Sequence, residues 1–533
     1  MAEPSKKQSF LHGTVLLALS AAIVKVIGAF YKIPLNQIIG EQGFGYFNTA
    51  YDIYSVLMAI AVAGLPVAVS RLISESSALG HYNQVRRIFS TARTIFISMG
   101  LLGTLAMVLF CKQLAVFQEQ PDAWFAIGCL GPAVLLTCTI SALRGFFQGQ
   151  SNMGPTALSQ VLEAACKLVV GIGLASLLMH ITGQYVFASG GAILGVSASC
   201  LLSVIYLFFR YRKAKALLPV SDEVTTGFWR TAWSLLRISL PIAAGAAGLS
   251  FLTTLETKVY MSQLIGLGYA QEQADMMKGI YDMGKTIFNL PIAFVTPITI
   301  SIVPAITAYV AMKDHGNAKA TEESAMRVLS LIIAPCAVGL VVLAEPVMGL
   351  LGGYTGDKLE LGGTLMALLS TSLLLYAMIL VTNAIMQAHG RPGLPVINMI
   401  IGGIIKLGCT FILTRNPNLG IVGAPIGALM GYLAIATLNL LTLRRCSQEP
   451  PAILRQLVRP LLAAVMMGVL VLAVRMALQH WMGENASRLI LTAVPVMVGV
   501  AVYGFTAIKL KAITRSDCLL LPKGEKIANL LHL

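Results

Sequence analysis

The feature that most constrains this chain is a succession of apolar runs, separated by short polar breaks and each long enough to cross a hydrocarbon layer. A helix needs about 20 residues to span the ~30 Å core of a bilayer. Runs of that length fall near residues 12–32, 47–70, 88–110, 124–146, 156–179, 186–209, 233–256, 280–309, 327–350, 363–387, 395–414, 420–442, 457–479 and 489–508, called spans 1 to 14 here. Stretches such as Leu331 to Leu343 and Leu365 to Ile385 show no period of two, which excludes the alternating strands of a transmembrane barrel. The expected fold is all-α: a polytopic membrane protein of about fourteen transmembrane helices. Composition agrees, because 56% of the 533 residues are hydrophobic and 11% are charged, against roughly a quarter charged in a soluble domain. Span 1 follows Lys6 and Lys7, is too long for a signal segment and has no small-residue cleavage site after it, so it is expected to be retained.

A net charge of +15 raises the question of nucleic acid, and the placement of the charges answers it. With the N-terminus in the cytoplasm, the even-numbered connections and the C-terminal tail hold most of the lysine and arginine. They include Arg71, Arg86, Arg87, Arg93, Arg144, Arg210, Arg212, Lys213, Lys215, Arg444 and Arg445, with Lys509, Lys511, Arg515, Lys523 and Lys526 in the tail. The opposite side holds Lys112, Lys278, Lys358, Arg415, Arg475 and Arg488. This is the positive-inside asymmetry of a multi-pass protein with both termini inside, so the excess charge reads as topology and no nucleic-acid partner is expected. Nine cysteines lie mostly in apolar spans with no C-x-x-C spacing, which suggests neither a disulfide framework nor a metal site.

The first half of the chain recurs in the second. Lys32-Ile-Pro-Leu-Asn-Gln-Ile-Ile-Gly40 lines up with Lys258-Val-Tyr-Met-Ser-Gln-Leu-Ile-Gly266, Tyr51-Asp52 with Tyr281-Asp282, and Pro66 with Pro297. Gln148 to Gly154 matches Gln387 to Gly393, and Lys167-Leu168 matches Lys406-Leu407. Each copy holds six spans and starts on the same side, so the two are expected to be related by an axis along the membrane normal. The expected organisation is an N-lobe at 1–215, a cytoplasmic linker at 216–232, a C-lobe at 233–446, and a segment at 447–533 with spans 13 and 14 and a basic tail. Lobes of this kind commonly enclose a central cavity and expose it alternately by rocking. A duplicated bundle without a transport role is the bland alternative.

Ionisable side chains inside a bilayer cost several kcal/mol and usually face a cavity or a partner. Here they concentrate in spans 1, 2, 7 and 8: Lys25, Lys32, Asp52, Glu256, Lys258, Asp282 and Lys285. Glu163, Lys167 and Lys406 form a second set in spans 5 and 11. Lys25 lies about halfway along its span with no acidic residue within one turn, which suggests a distant carboxylate or an anionic ligand. Glu163 with Lys167 (i, i+4) and Asp282 with Lys285 (i, i+3) have the spacing to pair within one helix. Lys32, Lys258 and Asp52 lie near the outer interface, where snorkelling is the plain alternative. The surplus of lysine over carboxylate favours a polyanion such as a phosphorylated headgroup. Gly64 and Pro66 in span 2 and Pro297 in span 8 are candidate hinges, with a static packing kink as the alternative. His389 and Arg391, in a glycine-rich turn, have the chemistry to meet headgroup phosphates.

The opening pattern supports a resemblance. Lys25-Val-Ile-Gly-Ala-Phe-Tyr-Lys-Ile-Pro-Leu, Gly43-Phe-Gly-Tyr46, Ala50-Tyr-Asp-Ile-Tyr54 and Gly64-Leu-Pro-Val-Ala-Val-Ser70 resemble the stage V sporulation protein B family. That family belongs to the polysaccharide-exporter and lipid II flippase branch of the multidrug/oligosaccharidyl-lipid/polysaccharide superfamily. The resemblance implies a bacterial cytoplasmic-membrane flippase that moves an undecaprenyl-pyrophosphate-linked saccharide outward, using cavity cations from spans 1, 2, 7 and 8. Of these, Lys25 and its neighbours in the motif carry over. The expected partners are the lipid-linked oligosaccharide and membrane lipids, the chain is expected to act as a monomer, and no cofactor or metal is expected. A cation-coupled multidrug or metabolite antiporter of the same superfamily is the rival reading, and it requires a deep titratable carboxylate, for which Glu163 is the candidate. A membrane-embedded transferase ranks last, because the outer loops present no paired carboxylates or ligand cluster.

Overall fold

The computed structural model describes residues 4–216, 218–219, 225–482 and 487–512. Among them there is no strand, which is what a lipid-embedded backbone requires: each N–H and C=O finds its partner within its own helix. Two compact units form, 1–282 and 283–533.

The first unit begins with α1 (Pro4–Ala63), followed by α2 (Leu65–Ala78), α3 (Tyr82–Leu109), the short α4 (Cys111–Phe117), α5 (Trp124–Gly149), α6 (Gly154–Thr182), α7 (Tyr185–Ala216) and α8 (Phe228–Gly266). The next helix, α9 (Gln271–Ile292), carries the boundary between the units. Within this unit α6 packs along α7, α5 along α3 and α7, and α1 along α6 and α8. The second unit continues with α10 (Val295–Ala311), α11 (His315–Val342), α12 (Ala344–Gly352), α13 (Asp357–Thr371) and α14 (Leu373–Ala388). It closes with α15 (Gly393–Thr414), α16 (Gly423–Cys446), α17 (Ile453–Met482) and α18 (Arg488–Lys509). Here α15 packs on α16, and α11 on α17, which in turn packs on α18. Local chemistry sets the ends: Asp314 caps α11 by accepting from the Asn317 amide at 3.1 Å, and Gly183 closes α6 in the left-handed conformation at φ 64°.

Ten helices among the described residues are long and apolar enough to cross a membrane, and they coincide with spans 3 to 6 and 9 to 14. Their outward faces carry apolar side chains such as Leu102 (68% exposed), Val169 (72%) and Ile412 (69%), which fits lipid as the solvent. Spans 1, 2, 7 and 8 fall in α1, α2 and α8 to α10, where helices are broken or more polar. Span 2 is divided at Gly64, between α1 and α2. Span 8 is divided between α9 and α10, and Pro297 falls in the first turn of α10. The repeat-related prolines therefore stand at helix starts, Pro66 likewise in the first turn of α2, where a missing N–H costs nothing. Gly64 is also a point of contact: a Cβ there would lie 2.3 Å from the Ser239 carbonyl oxygen of α8.

Candidate functional site

The site is built on α1. Gly40 has φ 65° and ψ 176°, outside helical geometry, and divides α1 into two segments across a kink. A side chain rarely adopts that φ, and a Cβ at Gly40 would approach the Tyr185 ring to 3.1 Å. Lys32 before the kink meets Asn48 beyond it: its Nζ donates to Asn48 Oδ1 at 2.9 Å and lies 5.8 Å from the centre of the Phe44 ring. Lys25, two turns earlier in the same segment, is exposed.

Beyond the kink Phe47, Tyr51 and Tyr54 recur at helical spacing and form an aromatic stripe, with ring centres 4.9 and 5.9 Å apart. Tyr31 joins it 6.0 Å from Phe47 and anchors itself by donating to the Ala192 carbonyl at 3.2 Å. Into this stripe reaches Lys167 of α6. Its Nζ donates to the Tyr51 hydroxyl at 2.6 Å and sits 4.9 and 4.7 Å from the Tyr31 and Tyr51 ring centres. Cation–π contacts of this kind contribute about 0.5–2 kcal/mol each, so rings and a phenol hold the ammonium without a carboxylate.

One intrahelical pairing expected from spacing, Glu163 with Lys167, does not form. Glu163 is engaged by Arg144 of α5, whose guanidinium donates to Glu163 Oε2 at 3.0 Å and to Ser159 Oγ at 3.0 Å. The planar fork satisfies two acceptors on α6 at once, which the point-like ammonium of Lys167 cannot do, and Lys167 turns to α1 instead. Asp282 pairs with Lys278. Lys278 Nζ donates to Asp282 Oδ2 at 2.7 Å and to the Gly45 carbonyl at 3.2 Å, with both side chains buried. Lys285, half-buried, lies further along α9 within the second unit.

Helix α8 completes the site. Thr257 donates to Asp52 Oδ2 at 3.0 Å, and Thr254 donates to the Asp52 carbonyl at 3.0 Å, so both threonines address one residue of α1. Glu256 is buried. Lys258, one position from Thr257 and so on another face of α8, places its Nζ 3.8 Å from the centre of the Phe117 ring of α4.

Sequence reasoning missed a buried network beside the site. Asp275 of α9 is 1% exposed and accepts from Tyr46 at 3.1 Å, Gln120 at 2.8 Å and Gln271 at 3.0 Å, while Thr49 bonds the other end of Gln120. The spacing of Asp275, Lys278 and Asp282 puts all three on one face of a helix, and that was the available signal.

In the second unit Lys406 Nζ lies 5.4 Å from the centre of the Tyr432 ring. His389 is bonded to the buried Glu322 at 2.7 Å, and Arg391 donates to Cys446 Sγ at 3.5 Å. Three buried asparagines join α14, α15 and α16: Asn439 donates to Asn383 at 2.8 Å and to Thr382 at 2.9 Å, and accepts from Asn398 at 2.9 Å. An apolar groove of about 580 Å³ runs along α11, α17 and α18, lined by Leu331, Pro335, Met467, Val471, Pro495 and Tyr503 among others. No cluster of three metal-ligating residues occurs among the described residues. Eight cysteines there are free thiols, and Cys518, like Arg515, Lys523 and Lys526, lies outside them.

The geometry places this chain among known proteins. Over 446 residues it is 28% identical to stage V sporulation protein B of Bacillus subtilis (strain 168), covering 82% of this chain and 84% of that protein. It is 23% identical over 519 residues to lipid II flippase MurJ of the same organism, covering 94% and 95%. Among solved structures, lipid II flippase MurJ in an inward closed conformation superposes with a TM-score of 0.68 at 11% identity, over 92% of this chain and 98% of that one. An inward-facing multidrug resistance MATE family transporter of the MOP superfamily gives 0.65 at 17% identity, over 81% and 94%. The fold is thus that of MurJ and MATE polytopic membrane proteins. The family model described as polysaccharide biosynthesis protein matches residues 10–310, more than half of the sequence, and the chain belongs to that family.

Proposed function

We propose that this protein is a flippase, not an enzyme, which carries an undecaprenyl-pyrophosphate-linked saccharide, lipid II or another cell-wall or polysaccharide precursor, across the bacterial cytoplasmic membrane. The reading includes fourteen spans with both termini in the cytoplasm, two like-oriented six-helix repeats, and alternating access as one repeat moves against the other. Gly64, Pro66 and Pro297 stand at the helix breaks where such motion would bend the chain. The chain acts as a monomer in this reading.

One observation carries the proposal: Lys167 holds a positive charge against Tyr31 and Tyr51, with no ion pair among the described residues, because Arg144 has taken Glu163. A cation so placed suits an anionic headgroup, which it can bind as a point charge and release. Lys25 and Lys32 on α1 supply further positive charge on the way to it. Asp52, Glu256, Lys258, Asp282, Lys285 and Lys406 stand as the remaining candidates for contact with the headgroup or for its passage. The apolar groove of the second unit fits the lipid's polyprenyl chain, which gains about 25 cal/mol for each Å² it buries.

The antiporter reading weakens on the same observation. It needs a carboxylate free to exchange a proton or sodium ion, and Glu163 is held by an arginine that stays protonated.

Two experiments test the proposal. In proteoliposomes containing fluorescent lipid II, Lys25→Ala is expected to lower the flipping rate at least tenfold with protein yield and melting temperature unchanged; a wild-type rate would remove Lys25 from the site. Complementation of a strain depleted of its own lipid II flippase distinguishes cargos: growth supports the peptidoglycan precursor, and no growth despite membrane insertion points to another lipid-linked saccharide.

A further inference from the structure

A basic pocket opens on the first unit where α3 begins and α7 ends. It is a recess of about 370 Å³ lined by Arg93 of α3 and by Phe208, Tyr211, Arg212 and Lys215 of α7. Tyr211 is fixed as its wall, with ring centres 4.4 Å from Phe89 and 5.0 Å from Phe146. The three cations are exposed, and none makes an ion pair among the described residues. Among the described residues no carboxylate belongs to the lining. Arg86, two turns before Arg93 on α3, is engaged outside the pocket, donating to Asn83 at 3.0 Å and to the Leu218 carbonyl at 2.8 Å. Three like charges around one recess repel each other, and a bound anion relieves that repulsion.

The sequence on either side of the pocket identifies what carries the anion. On α7, Leu201, Ile205, Phe208, Arg212 and Lys215 follow one another at steps of three and four, so they form a single stripe that runs from apolar into basic. On α3, Leu101, Ile97 and Arg93 do the same. The apolar members are exposed, between 40% for Ile97 and 48% for Leu101 and Leu201, as befits a surface that meets acyl chains. The cations then stand where the hydrocarbon ends, at headgroup depth on the face read as cytoplasmic. A soluble anion has no use for the apolar half of these stripes, whereas a phospholipid uses both halves.

We propose that this pocket binds the phosphate of an anionic phospholipid such as phosphatidylglycerol, with the acyl chains lying along the exposed stripes of α3 and α7. The shared chemistry is a phosphate-bearing anion, and the experiment separates the lipid from free phosphate. The site is distinct from Lys167 and the α1 stripe, and lipid retention is read without transport, so its failure and that of the flippase reading are independent.

The full-length purified protein would be equilibrated with equal amounts of phosphatidylglycerol and phosphatidylcholine, and bound lipid read by native mass spectrometry. Wild type is expected to favour phosphatidylglycerol, and R93Q/R212Q/K215Q to lose that preference by on the order of tenfold or more, since each basic residue near a membrane surface contributes about a factor of five. The control R210Q/K213Q removes two cations from the same helix end that do not line the pocket, and it should retain the preference. If the triple variant does not fold, Lys215→Glu alone should weaken the preference in the same direction. Equal retention of both lipids by wild type, or equal loss in the control, overturns the proposal. Protection of the melting temperature by millimolar inorganic phosphate but not by phosphatidylglycerol vesicles overturns the lipid assignment and leaves the pocket to a soluble anion.

Discussion

The junction between α5 and α6 in the first unit and the junction between α14 and α15 in the second align at one sequence offset and use opposite chemistry. Helix α5 ends at Gly149 and α6 starts at Gly154, while α14 ends at Ala388 and α15 starts at Gly393, a constant offset of 239 positions. Arg144 corresponds to Asn383, Ser159 to Asn398 and Lys167 to Lys406 at that same offset. In the first unit the joint is ionic, with Arg144 bridging Ser159 and Glu163. In the second it is a neutral amide ladder centred on Asn439, which is fully buried. The matched positions tie helices in both units, but different groups do the tying. The ionic version has a consequence that the neutral one lacks: it occupies the one carboxylate within a turn of Lys167.

The largest effect on stability is expected at the neutral joint. Asn439→Leu should cost about 3–4 kcal/mol, because Asn383, Asn398 and Thr382 each lose a buried partner, and a fall in melting temperature of the purified protein is the measurement. A cost under about 1 kcal/mol would mean that water replaces those bonds and that the two joints are not alike in strength.

Replacing Arg144 with asparagine sharpens the comparison by making the first joint resemble the second. The stability cost is expected to be smaller, about 1–2 kcal/mol, since Glu163 is partly exposed and can stay hydrated. Its effect on transport should be larger than that cost suggests. Glu163, released, stands four residues from Lys167 and can neutralise it, so flipping should fall several-fold. The double substitution R144N/E163Q removes the competing carboxylate and should restore most of the rate. A double variant as slow as R144N would show that Arg144 acts by another route.

Tyr51→Phe is expected to have the smallest effect. It keeps the ring beneath the ammonium and deletes one hydrogen bond, so purified protein should lose about 1 kcal/mol of stability and flipping should fall by less than about twofold.

The comparison also shows what sequence could carry. Ten apolar spans were legible because length and hydropathy alone decide them. The broken helices were legible in part: Gly64, Pro66 and Pro297 marked the interruptions, but nothing in the sequence marked Gly40, whose positive φ kinks α1, as a break. Partner choice was not legible. The i, i+4 rule favoured Glu163 with Lys167, yet it is worth only a few tenths of a kcal/mol, and an arginine from another helix that bonds both Glu163 and Ser159 outweighs it. Asp275 and Lys278 were passed over because they precede the apolar part of span 8, where polar residues look like loop; only their helical spacing and their burial against Tyr46, Gln120 and Gly45 reveal them.

The account depends on the ammonium of Lys167 meeting an anionic headgroup, and Lys167→Met tests that most directly because it keeps the side chain's length and apolar stem. In proteoliposomes with fluorescent lipid II, the account predicts a loss of flipping of more than tenfold, with folding intact and rates insensitive to a further Glu163→Gln change. Flipping at the wild-type rate by the folded Lys167→Met protein would contradict it.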